Sequence, residues 1–71
     1  MAFSDHFKES DHELAKSYLR SMHSELEQAR ALSNKGDFIT GEMHLRHALS
    51  LIEQLRILHR VHQAERLRAY L

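Results

Sequence analysis

From Leu14 onwards apolar residues return at helical steps: Leu14, Tyr18, Leu19, Met22, Leu26, Ala29 and Leu32, with charged residues between them. This spacing predicts an amphipathic helix with one buried side. Its start is set near Asp11 by Ser10-x-x-Glu13, in which both side chains can satisfy free N–H groups of a first turn. Residues 1 to 10 are polar apart from Phe3 and Phe7 and read as a flexible N-terminal arm or a partial extra turn, leaving 11 to 71 as the folded domain. The helix is expected to stop at Ser33-Asn34-Lys35-Gly36-Asp37, where glycine can take the left-handed cap and aspartate can cap the next helix.

A second helix starts near Phe38. Gly41, Leu45, Ala48, Leu49, Ile52 and Leu55 share one of its sides and are expected to face the first helix. Small residues, Ala29 before the turn and Gly41 and Ala48 after it, suit close packing. Ile57, Leu58, Val61, Ala64, Leu67 and Leu71 point in another direction at about 100° per residue. Either the helix bends near Arg56 into a third helix, or it stays straight and offers this second stripe to a partner. Neither proline nor glycine occurs there, which favours continuity. The fold class is all-α: an antiparallel helical hairpin with a long second helix.

Composition narrows the function classes. With 71 residues there is room for one small core, and no cysteine is present to staple it. Lys and Arg balance Asp and Glu at ten each, so no net field gathers nucleic acid or anionic membrane. The acidic residues concentrate in the first half and Arg56, Arg60, Arg66 and Arg68 in the second, without interleaved aromatics for base stacking. No apolar run is long enough to span a bilayer, and residues 1 to 6 lack the pattern of a signal peptide. The expectation is a cytoplasmic chain that neither inserts in a membrane nor binds nucleic acid.

Reactive chemistry is sparse. There is no thiol, the serines lack a glycine elbow, and neither glycine opens a phosphate loop, so no catalytic residue and no enzyme are expected. Seven histidines include His44 with His47 and His59 with His62, each pair three apart on one helix face where two imidazoles can share an ion. His62 with Glu65 could add a carboxylate, yet each set is an incomplete site; neither metal nor cofactor is assigned, and a histidine-based metal-binding helical protein is the alternative class. His44 reads as a semi-buried, hydrogen-bonded structural histidine. Glu25 and Glu27 read as solvated helix charge.

The run Gly36-Asp37-Phe38-x-x-Gly41-x-x-His44-Leu45-x-x-Ala48, with Ala29 before it, resembles a tetratricopeptide-type unit. Within that class residues 18 to 62 are most similar to the cytosolic domain of the mitochondrial outer-membrane presequence receptor, the 20-kilodalton import receptor family. That resemblance implies a groove holding the apolar face of an amphipathic helix, with Met22, Leu26, Leu58 and Val61 lining it, and a place on the cytosolic face of an organelle. A looser resemblance is to small two-helix co-chaperones of type III secretion needle subunits, and a third to microtubule-interacting and trafficking domains. All imply a protein partner or a second copy of the chain. With Ile57 added from the second apolar stripe, the expected partner-binding residues are Met22, Leu26, Ile57, Leu58 and Val61, with Ala29, Gly36, Gly41, Leu45 and Ala48 forming the structural motif.

Overall fold

The structure, a computed structural model, describes residues 2–69; Met1, Tyr70 and the expected stripe residue Leu71 lie outside them. Two 3-10 turns, Phe3–His6 and Glu9–Asp11, lead into helix α1, His12–Asn34, and α2, Phe38–Ala69, comes after it. The helices run antiparallel, with Glu25 bonded to His44 towards the turn and Ala15 clustered with Leu55 towards the open end. α2 is continuous through Arg56, so the straight form is the one adopted.

The turn follows from its sequence. Gly36 takes φ 85°, and its N–H donates to Ser33 O at 3.0 Å while the Asp37 N–H donates to Leu32 O at 2.9 Å. These are the paired bonds that close a helix through a left-handed glycine. Asp37 then caps α2, its Oδ1 accepting from the Thr40 N–H at 3.2 Å. The start of α1 differs from expectation. Asp11 precedes the helix in a near-helical conformation, φ −101° and ψ −1°, and makes no side-chain cap bond. The chain enters α1 through a 3-10 turn, so the Ser10 and Glu13 pairing does not form. His12 instead reaches back, its Nε2 lying 2.9 Å from Phe7 O, the acceptor.

Burial identifies a seam different from the expected one. The covered positions of α1 include the series Ala15, Tyr18, Met22, Glu25, Ala29 and Leu32, with His12, Leu19 and Ser33 beside it; those of α2 include the series Gly41, His44, Ala48, Leu51, Leu55, Leu58 and His62, with Thr40 and His59 beside it. Both series step alternately by three and four. That is the seven-residue repeat of a two-stranded coiled coil, whose helices underwind to keep one seam in register. The seam threads between the two expected α2 stripes, taking Gly41, Ala48 and Leu55 from one and Leu58 from the other. Leu14, Leu26, Leu45, Leu49 and Ile52 are therefore not core residues: each stands at least 43% exposed. Small side chains at Ala15, Ala29, Gly41 and Ala48 explain the choice, because they bring the backbones close. A Cβ on Gly41 would sit 3.1 Å from Ser33 Oγ and 3.5 Å from Ala29 O.

The N-terminal arm belongs to this core. Phe7 is buried with Ala15 and Leu55, and Phe3, Tyr18 and Leu58 pack around them. Its ring lies 5.0 Å from that of Phe3 and 6.3 Å from that of His59. Lys8 Nζ adds an exposed ion pair to Glu65 at 3.3 Å, worth well under 1 kcal/mol by comparison with similar pairs. The arm thus covers the open end of the hairpin by packing, with little help from charge.

Candidate functional site

The expected partner-binding residues do not form one groove. Met22 is half-buried in the seam, and Leu58 is packed against the core beneath Phe7. Leu26 is exposed near the turn, at the level of His44 and Leu45, whereas Ile57 and Val61 are exposed near the open end. At about 1.5 Å per residue, the dozen or more α2 positions between these levels put them well over 15 Å apart. Of the structural motif, Gly41, Ala29 and Ala48 are buried and Gly36 forms the turn, while Leu45 is exposed.

What the fold gathers instead is an apolar flank on α2. Leu45, Leu49 and Ile52 succeed one another by four and three residues on one side of the seam, and each is 43% exposed or more. Phe38, seven residues before Leu45, continues the line towards the turn at 69% exposure. By helical register Leu26 of α1 falls beside Leu45. At the other end the line meets Arg56 and a shallow cavity of about 240 Å³ between Phe3, His6, Phe7, Ile52, Leu55 and His59. Glu42 lies on the same line, held by Arg46 at 2.9 Å, and among the described residues no ion pair engages Arg56.

The opposite flank carries polar residues. Glu25 Oε2 accepts from His44 Nδ1 at 2.5 Å and lies 3.6 Å from His47 Nδ1. Glu25 is therefore a half-covered bridge between the helices, not the solvated charge its neighbour Glu27 suggests. The sequence signal was its place in the repeat, seven residues from both Tyr18 and Leu32. The bond from His44 holds the Glu25 carboxyl below its ordinary value of 4.5; partial burial opposes this, and the charges of His44 and His47 reinforce it. A lowered folded-state value means stabilisation that is present above the unfolded value and lost as pH falls through the folded one. In chelator-treated protein, melting temperature should drop more steeply below pH 4.5 for the native chain than for Glu25→Gln. Parallel slopes in circular dichroism melts would show the bridge to be energetically silent.

Of the other histidines, His23 is exposed midway along α1 and the rest sit at the open end. His6 and His59 rings meet edge to face at 5.6 Å, and His12 and His62 line a cleft of about 490 Å³ with Glu65 and Arg66. Among the described residues no helix is long and apolar enough to cross a membrane. No protein-family model, curated protein or solved structure matches the chain.

Proposed function

We propose that this chain is a non-enzymatic helical-hairpin interaction module, adaptor-like in protein targeting, that docks a helix along the Phe38 to Ile52 flank of α2. The observation that carries this reading is the line Phe38, Leu45, Leu49 and Ile52, large apolar side chains at seven-, four- and three-residue steps that the hairpin leaves uncovered. Monomeric proteins rarely leave such an apolar line, broken here only by Glu42, to water. The spacing is that of a coiled-coil seam, so the occupant is a helix.

The helix is α2 of a second copy, because the line is self-complementary when run antiparallel. With the two Leu49 side chains on a two-fold axis, Leu45 of each copy faces Ile52 of the other. Glu42 then faces Arg56, and Phe38 reaches the level of His59, beside the cavity of about 240 Å³. A cavity of about 150 Å³ is enough to hold benzene, so the space suits a phenylalanine ring. The product is a symmetric four-helix unit with an isologous interface. The adaptor role extends the same mode: a face shaped for one heptad-spaced helix also receives a client helix of that spacing, the feature shared by the receptor and co-chaperone resemblances.

Sedimentation equilibrium tests this reading. The native chain should be dimeric, and Leu49→Asp should weaken the dimer by at least about 100-fold. Two leucines lose burial worth about 1.5 to 3 kcal/mol each, at about 1.4 kcal/mol per factor of ten. Val61→Asp, on another face, should leave association unchanged. A native chain monomeric at millimolar concentration, or a dimer broken by Val61→Asp and spared by Leu49→Asp, would remove the basis for the reading.

A further inference from the structure

We propose that Glu25, His44 and His47 form a binding site for a divalent transition-metal ion of the zinc class, clamping α1 to α2 near the turn. One donor atom from each residue lies within 4.8 Å of the others, the sole such trio of metal-ligating side chains among the described residues. The local fold explains their convergence. Glu25 and His44 occupy facing seam positions of the two helices, and His47, one turn further along α2, comes round to the same carboxylate. The two imidazole rings stand nearly perpendicular, at 88°, with centroids 6.2 Å apart. Both present Nδ1 to the same carboxylate oxygen, Glu25 Oε2, at 2.5 and 3.6 Å.

The donor set selects the ion. Two imidazoles and one carboxylate are borderline ligands that suit Zn²⁺, Co²⁺, Ni²⁺ or Cu²⁺ and give magnesium and calcium, which require oxygen shells, little to hold. Zn²⁺ bonds of about 2.0 to 2.2 Å need the 2.5 Å contact between Glu25 and His44 to open and the 3.6 Å contact with His47 to close slightly. These are adjustments within side-chain reach. His47 is 63% exposed along its side chain, so the remaining coordination positions face water. Three protein ligands plus solvent is the arrangement of open zinc sites.

The proton balance is simple. In the metal-free form Nδ1 of His44 carries the hydrogen it donates to Glu25, because the carboxylate can only accept. The ion takes the Nδ1 lone pair that departure of this hydrogen frees. The hydrogen leaves to solvent if the ring is doubly protonated, or moves to Nε2 if it is neutral, so binding weakens as pH falls. The remaining histidines do not offer an equivalent. His23 stands exposed midway along α1 and belongs to no such trio, and His6, His12, His59 and His62 lie at the open end, where Glu65 is already engaged by Lys8.

The site lies on the flank opposite Leu49, so it stands or falls separately from the proposed dimer. The test is isothermal titration of zinc chloride into the untagged, chelator-stripped chain, repeated with cobalt chloride to read the visible absorption of the bound ion. The expected result is one saturable zinc equivalent per chain, a higher melting temperature with zinc, and a cobalt spectrum of low coordination number. His47→Ala is exposed and should melt as the native chain does without metal. It should bind zinc more weakly by more than the roughly 10- to 100-fold that loss of an outer-sphere partner costs. His62→Ala should bind as the native chain does. Absence of saturable zinc binding, native-like binding by His47→Ala, or loss of binding in His62→Ala would overturn the proposal.

Discussion

Replacing Phe7 by alanine is expected to lower the unfolding free energy by about 3 kcal/mol, the low end for a buried phenylalanine. Among the described residues Phe7 is the one buried aromatic, at 6% exposure, and it is the contact that joins the arm to Ala15 and Leu55. Removing it opens a void that the short arm cannot refill, and the Phe3 ring at 5.0 Å loses its neighbour. A domain of this size has a margin of only about 3 to 5 kcal/mol. The variant should therefore keep only about 0 to 2 kcal/mol, between half and a few per cent unfolded at room temperature, with a smaller urea dependence if the arm also undocks. Urea titration monitored by circular dichroism gives both quantities. A variant as stable as the native chain would mean that the arm contributes nothing to the core.

Ala48→Leu should destabilise the hairpin by about 1 to 3 kcal/mol through overpacking. Ala48 is 5% exposed and sits in the seam one repeat from Gly41, where the backbones approach closely. Three extra heavy atoms there must push the helices apart, and the displacement spreads to Ala29 and Gly41. At about 4 to 8 °C per kcal/mol for a domain this small, the melting point should fall by roughly 4 to 24 °C. Leu45→Ala, three residues away and half-exposed, is the contrast: under conditions that keep the chain monomeric it should move the melting point little. Equal losses from both would mean that the seam runs through Leu45 after all.

The turn was legible because its chemistry is local. Gly36 and Asp37 each do a job that few other residues do at those positions, and no distant contact is needed to see it. The seam was harder to read. A straight helix of 3.6 residues per turn groups Leu45, Leu49 and Ile52 as the apolar side, and their bulk outweighs the alanines in any hydrophobicity count. Close packing reverses that ranking, because the helices approach where side chains are small and the large leucines are left at the rim. The repeat was nevertheless written in the chain: Ala15, Met22 and Ala29 are seven apart, as are Gly41, Ala48 and Leu55. Phe7 could not be assigned in this way. Its burial depends on the arm folding back through a 3-10 turn, and no periodicity within residues 1 to 10 signals that. The meeting of Glu25 with His44 and His47 likewise required knowing which residues of two antiparallel helices stand level.

With extents of 53 by 18 by 16 Å, the single hairpin is a rod about three times as long as it is wide. Friction scales with shape as well as mass, so an 8.4 kDa rod diffuses like a heavier sphere and elutes early from a gel-filtration column. Side-by-side pairing would double the mass while thickening the rod more than lengthening it, bringing the particle closer to round. Monomer and dimer should thus elute closer together than their masses imply, while their scattering curves differ clearly in cross-section.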